Sequence, residues 1–274
     1  MALRKLRQVE ALAVPDGMEW DAPVSALERL TDVKAAKQSD RSISILEQIG
    51  ERWDGSGMTA ARINGMLRAL GPGEVTVNIN SPGGSFFDGL AIYNQLREHD
   101  GKVTVNVLGM AASAASVIAM AADELRVAKA GFLMIHNSWA VAMGNRNDLR
   151  DIADTLTKFD GQMAALYADR SGIDKAKIAK MMDAETYLSG EEAISMGLAD
   201  GLLASDEVAP SSEGDATAAI RRMEIALAKA GVPRSERRQL YREPLGPPGA
   251  AEPAKPRAGN ELVSALTEAI HLFK

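Results

Sequence analysis

Val75-Thr76-Val77-Asn78-Ile79 runs into Asn80-Ser81-Pro82-Gly83-Gly84-Ser85, and Val103-Thr104-Val105-Asn106-Val107 runs into Gly109-Met110-Ala111-Ala112-Ser113-Ala114-Ala115. Each reads as an apolar β-type run delivered into a tight turn of small residues. A third apolar run, Phe132-Leu133-Met134-Ile135, ends on His136. Two strands ending in tight turns and a third ending in a histidine can bring backbone N–H groups, a hydroxyl and an imidazole together. Those are the parts of an acyl-transfer site.

Outward from this stretch, β-type and helical patterns alternate. Ser42-Ile43-Ser44-Ile45-Leu46 alternates polar and apolar and predicts a first strand. Residues 58–70 predict a helix with Ile63, Met66, Leu67 and Leu70 on one face, stopped by Gly71-Pro72-Gly73. Residues 88–98 predict the helix between the two Val-Thr-Val-Asn runs, and a further helix begins near Ser113 and runs to Ala122. Short strands follow around 125–127 and 132–135. This order predicts an α/β fold with a mainly parallel sheet and right-handed crossovers.

Residues 147–170 carry the longest helical signal. Leu149, Ile152, Leu156, Phe159, Met163 and Leu166 recur at spacings of three and four, a narrow seam that serves either a helix lying on its own domain or one packed against a second subunit. Residues 173–182 predict a shorter helix, and Ser189-Gly190-Glu191-Glu192 matches a capping box. The expected organisation is an N-terminal arm at 1–40, peripheral because Pro15 and Pro23 break any long element, a domain at 41–205, and a C-terminal extension at 206–274. The extension holds a single helix at 216–230, five prolines within 243–259, and a last short helix at 261–273.

Composition narrows the chemistry. The 274 residues carry a net charge of −6, which gives no global attraction to nucleic acid or an anionic membrane, and no cysteine. Disulfides, thiolate metal sites and a cysteine nucleophile are thereby excluded, and three histidines leave little for an imidazole metal site. There is no P-loop. The charge-free stretch between Lys102 and Asp123 imitates a membrane span, but Thr104, Asn106, Gly109, Ser113 and Ser116 make it too polar for one. A reducing cytoplasm fits this composition.

Among the candidate site residues, Ser113 is flanked by side chains no larger than methyl, the clearance that a nucleophile at the start of a buried helix requires. Ser116, one turn later, faces the helix interior. Gly83 and Gly84 permit positive φ and close approach of a ligand to the main chain, so an N–H there can meet a developing oxyanion. His136 is the base candidate, because His99 lies in a polar turn and His271 in the tail. The carboxylate that orients the imidazole is Asp183 or Glu185, in Met182-Asp183-Ala184-Glu185-Thr186-Tyr187-Leu188.

Taken together, Asn80-Ser81-Pro82-Gly83-Gly84, Gly109-Met110-Ala111-Ala112-Ser113, Met134-Ile135-His136, and Leu188-Ser189-Gly190-Glu191-Glu192-Ala193 followed by Gly197-Leu198-Ala199-Asp200 resemble the ordered motifs of the ClpP serine peptidases. The resemblance covers roughly residues 42–203. Within that family the chain is similar to phage-type members that act as head maturation (prohead) peptidases, through its Ala-Ala-Ser-Ala-Ala-Ser turn and the Glu185-Thr186-Tyr187-Leu188-Ser189 segment. The resemblance implies the ClpP/crotonase-like fold with a protruding handle helix at 147–170, a helix that belongs to the inter-ring contact in this family. It implies Ser113 as nucleophile, His136 as general base, and the backbone N–H of Gly83, or its neighbour Gly84, and of Ala114 as oxyanion donors.

Glu185 stands three residues before the Leu188-Ser189 pair, where family members with an aspartate carry the acid; Asp183 is the second candidate. The resemblance implies neither metal nor nucleotide cofactor. It implies polypeptide substrates such as capsid or scaffold proteins, assembly into a homo-oligomeric ring, and work in the host cytoplasm or inside a procapsid. The N-terminal arm has no match to the family's axial loop, which bears on docking of an AAA+ unfoldase.

Overall fold

Two copies of the same tetrapeptide pair side by side. In the computed structural model, which describes residues 18–30, 33–36, 39–51, 57–204, 207–210 and 215–237, β1 (Met18–Trp20), α1 (Val24–Arg29), β2 (Val33–Ala35) and β3 (Ser42–Ile45) precede α2 (Ala60–Leu70) and β4 (Val75–Ser81). Then come α3 (Phe86–Glu98), β5 (Val103–Ala112), α4 (Ala114–Ala119), β6 (Glu124–Ala128), β7 (Phe132–Ile135) and β8 (Ala140–Ala142). The order ends with α5 (Arg146–Ser171), α6 (Lys175–Asp183), β9 (Thr186–Ser189), α7 (Gly190–Ser195), β10 (Gly201–Leu203), β11 (Val208–Pro210) and α8 (Asp215–Lys229). β4 and β5 run parallel with Val75 opposite Val103 and Asn78 opposite Asn106. Their valines are fully buried on one face, while Asn106 donates to Asn78 at 3.3 Å on the other.

The parallel strands stand in the order β10-β6-β5-β4-β3, and β7 and β9 continue the sheet from the far half of β5. Helices α2 and α3 cross between the early strands, as alternation requires. The reading of residues 109–112 as a turn is corrected here: they continue β5, with Met110 opposite Phe132 and Ala112 opposite Met134. Gly109, Ala111 and Ala112, with no side chain beyond a methyl, let this half of the strand run buried between β4 and β7 while Met110 packs with Ala26 and Met134, so the turn is postponed to Ser113.

Of the two placements left open for the long helix, the chain's own core takes most of its seam. α5 is opened by an Asn145 and Asp148 capping box and closed by Gly172 at φ 75°, but its apolar seam does not wait for a partner. Ile152, Phe159, Met163 and Leu166 are buried in the chain's own core, whereas Leu149 at the outer end is 46% exposed. Truncating Phe159 to alanine would cost about 3–5 kcal/mol. At the inner end Arg170 donates to the carbonyls of Ala122 and Leu198 and pairs with Asp200, fixing α5 to the sheet.

The arm expected to be peripheral is not so over residues 18–30. Trp20 packs on Phe86 and Phe159, and Asp21 is buried in an ion pair with Arg237, beyond α8. Aromatic stacking and a paired charge give this stretch the anchors that its composition did not announce. The proline-rich segment 243–259 and the helix expected at 261–273 lie outside the described residues. Among the described residues no helix is long and apolar enough to cross a membrane.

Candidate active site

Ser113 stands at the junction of β5 and α4, with φ 54° and ψ −127°. A non-glycine residue held there carries a strain of about 1–3 kcal/mol, so its surroundings must impose it. Its N–H donates to Met134 O at 3.1 Å, and its carbonyl accepts from the N–H groups of Ser116 and Val117 and from Ser116 Oγ at 2.6 Å. The result is a sharp strand-to-helix elbow that presents the hydroxyl. Ser116 is buried and engaged, also bonding the hydroxyl of Tyr167 at 2.8 Å. Burial pushes the Tyr167 phenol up, so it stays neutral.

The second motif is pressed against the first. Gly83 adopts φ 91°, and a Cβ added there would lie 2.6 Å from Ser113 Cβ and 3.1 Å from Ala114 N. Only glycine fits, for its dihedral and for its contact. Gly84, at φ 141°, is equally closed to a side chain, because a Cβ would meet Ile49 O at 2.3 Å. The N–H of Ala114, in the first turn of α4, therefore lies beside the Gly83 backbone. The Gly83 N–H donates to Ser81 Oγ at a long 3.2 Å, a bond that a better acceptor can replace.

His136 leaves the end of β7 and places Nε2 2.8 Å from Ser113 Oγ. The ring is buried, and burial alone pulls its pKa down to about 4. The imidazole is thus neutral near pH 7 and able to accept the hydroxyl proton.

The two carboxylates anticipated for the third position are not on the imidazole. Asp183, at the end of α6, accepts from Asn137 Nδ2 at 2.8 Å. Glu185, at φ 46°, turns its carboxylate toward Ser25 Oγ at 3.5 Å. Among the described residues neither hydrogen-bonds His136. The expected acid is therefore not met in the single chain; the end of α6 and the turn before β9 hold the two groups at the neighbouring surface instead.

Sequence reasoning missed Asp160. This residue of α5 accepts at 2.6 Å from both the N–H and the hydroxyl of Ser138, two residues after His136. Burial chiefly pushes its carboxyl up, the Ser138 bonds oppose that, and nearby Asp183 adds to it. The signal was hidden because Asp160 follows Phe159 on a helix read for its apolar seam. Asp160 and Asp183 grip Ser138 and Asn137, so the segment leaving the histidine is held from two helices. Among the described residues no group of histidines and carboxylates is arranged to hold a metal.

Comparison with known proteins bears on the family and the fold. A family model described as Clp protease matches residues 26–206. The ATP-dependent Clp protease proteolytic subunit of Ligilactobacillus salivarius is 29% identical over 178 residues, 64% of this chain and 89% of its own. The ATP-dependent Clp protease proteolytic subunit 1 of Chlamydia muridarum is 30% identical over 185 residues, 65% and 95% of the two chains. In fold, the chain is similar to a ClpP1 mutant from Listeria monocytogenes, with a TM-score of 0.51 and 24% identity over 60% of this chain and 91% of that one.

Proposed function

Starting from the fact that this chain belongs to the Clp protease family and is a serine peptidase of that class, we propose that it cleaves polypeptides through an acyl-enzyme on Ser113. The observation that carries this reading is the 2.8 Å contact between Ser113 Oγ and the buried, neutral His136 Nε2 at a strained elbow. Ser113 Oγ attacks the peptide carbonyl while His136 takes its proton. The carbonyl oxygen becomes an oxyanion met by the N–H of Ala114 and that of Gly83 or Gly84. Collapse breaks the C–N bond, and His136 returns the proton to the leaving amine. Water, deprotonated by the same histidine, then releases the acid and regenerates Ser113.

The imidazolium formed midway needs a negative partner, and we assign that part to Glu185, with Asp183 the second candidate. Asp183 ends α6, which packs on α5, and Glu185 follows in the turn before β9, so subunit packing on α5 is the event that would bring one of them to Nδ1. We read residues 41–205 as the peptidase domain of a ring-forming homo-oligomer, with 1–40 and 206–274 as extensions. The finer reading is a head maturation peptidase acting on capsid or scaffold proteins in the host cytoplasm or a procapsid, supported by the Ala-Ala-Ser-Ala-Ala-Ser elbow and the Glu185 to Ser189 segment. An ATP-dependent housekeeping role is the alternative, and co-purification with an AAA+ unfoldase would favour it. Intact-mass analysis after rapid quench with an activated ester tests the chemistry: the wild type carries one acyl group per chain on Ser113, and an unacylated Ser113 in protein that turns the ester over with slow deacylation removes the acyl-enzyme.

A further inference from the structure

The cleft beside Ser113 is already occupied by the chain itself. β1 pairs antiparallel with β8, Glu19 opposite Val141 and Trp20 opposite Ala140, and β8 begins four residues after His136. The Trp20 ring enters a box made by Phe86, Phe87 and Phe159, with ring centroids 5.2, 5.7 and 5.4 Å away. Two of these phenylalanines open α3 directly after Gly83-Gly84 and Ser85, and the third sits on α5 next to Asp160. Between Trp20, Asp21, Gly84, Ser113, His136 and Trp139 a cavity of only about 10 Å³ is left. That is barely room for one water molecule, so the arm and an incoming peptide compete for the same space beside the half-buried Ser113.

We propose that residues 18–22 are a tethered pseudosubstrate: they hold the polypeptide-binding edge of the cleft, and substrate enters by displacing them. The proposal rests on the peptidase reading of Ser113 and His136. An extended segment added to a free strand edge gains affinity from main-chain hydrogen bonds and selectivity from the pockets its side chains enter. The arm does both, with Trp20 filling the box. The favoured substrate is thus an extended polypeptide with a large apolar or aromatic side chain at the position of Trp20.

The fit of the arm is imperfect in a way that suits displacement. Trp20 Nε1 is buried without a hydrogen-bond partner among the described residues, a penalty that a phenylalanine or leucine of an incoming chain does not carry. The arm is instead secured from outside the cleft. Asp21 accepts from Gln48 Nε2 at 2.9 Å and pairs with Arg237, both partners buried. Arg237 itself donates to Val232 O at 2.6 Å, tying the latch to the stretch that follows α8. The N-terminal and C-terminal extensions therefore hold one another over the site, and loosening either one opens it.

A reversible crosslink tests this on the full chain. The protein has no cysteine, so Glu19→Cys/Val141→Cys supplies the only thiols. Directly opposed residues of antiparallel strands have Cα atoms about 4.5–5.5 Å apart, within disulfide reach. The readouts are the rate of fluorophosphonate labelling at Ser113 and the binding of a fluorescein-tagged peptide of residues 14–24. The oxidised protein should label about tenfold more slowly than the reduced one and refuse the peptide, and reductant should restore both. Trp20→Ala should label faster than the wild type.

Equal labelling and equal peptide binding in the oxidised and reduced forms would overturn the proposal. So would failure of the two thiols to pair on oxidation, which removes the β1–β8 register. Absence of labelling in every form, with peptide binding still following the crosslink, would strike the peptidase reading and leave the arm's occupancy of the edge supported.

Discussion

The two ends of the catalytic cleft are built from different material. At one end Ser113 and His136 are set by buried strands: Ala111, Ala112, Leu133 and Met134 are inaccessible to solvent, and the elbow cannot relax without disturbing them. At the other end Asp183 closes α6 and Glu185 lies in the turn before β9, both at the surface, and they bond to Asn137 and Ser25 rather than to the imidazole. Core packing within one chain suffices to bring Ser113 Oγ and His136 Nε2, the proposed nucleophile and base, within 2.8 Å. It does not bring either proposed acid to the imidazole. The Ser113–His136 contact is thus a property of the fold, while its completion by a carboxylate depends on how the outer elements are held.

Replacing Ser113 or His136 breaks the rigid end. Each alanine variant should lower kcat for peptide hydrolysis by about 10⁴-fold or more with little change in melting temperature. A retained rate would show that the pair is not the reactive one. At the other end Glu185→Gln should reduce turnover of the assembled enzyme by about a hundredfold, and by more than Asp183→Asn; equal or reversed effects in steady-state assays would reassign the acid.

Asp160 spans the two ends, because it holds the segment that leaves His136. Asp160→Ala should cost about tenfold in kcat, roughly 1.4 kcal/mol, with KM little changed. Asp160→Asn should recover most of the loss, since an amide oxygen accepts the same two bonds from Ser138.

The smallest effect is a displacement in pH. In the single chain burial holds His136 near 4, below its ordinary 6.5, so the base stays neutral and the acid limb of kcat/KM lies below 6.5. A carboxylate brought to Nδ1 on assembly would favour the imidazolium and move that limb upward. Comparing profiles of dissociated and assembled protein checks the direction. The sign for stability is the same: between 6.5 and about 4 the unfolded chain binds the proton that the folded one refuses, so stability falls as pH drops through that window.

Much of the rigid end was legible in the sequence. The repeated Val-Thr-Val-Asn runs, the Pro82-Gly83-Gly84 turn and the small residues around Ser113 report local backbone and packing demands, which a sequence displays directly. Two features were read differently from the way they fold. Small residues at 109–112 looked like a turn and proved to be a buried strand, because methyl side chains serve close packing as well as tight bends. The arm, read as peripheral because prolines break it, packs Trp20 on Phe86 and Phe159, whereas the α5 seam took one of the two placements left open for it. What the sequence hid depends on contacts between distant residues: Asp160 on Ser138, Trp20 in its aromatic box, and Asp21 on Arg237, 216 positions away. None of these has a local pattern from which it can be read.

The central claim, that Ser113 is the nucleophile activated by His136, is tested most directly by intact-mass and peptide-mapping analysis after exposure to a fluorophosphonate. One adduct per chain is expected, on Ser113, absent in Ser113→Ala and strongly slowed in His136→Ala. An adduct on Ser116 or elsewhere, or none on protein whose arm has been released, would contradict it.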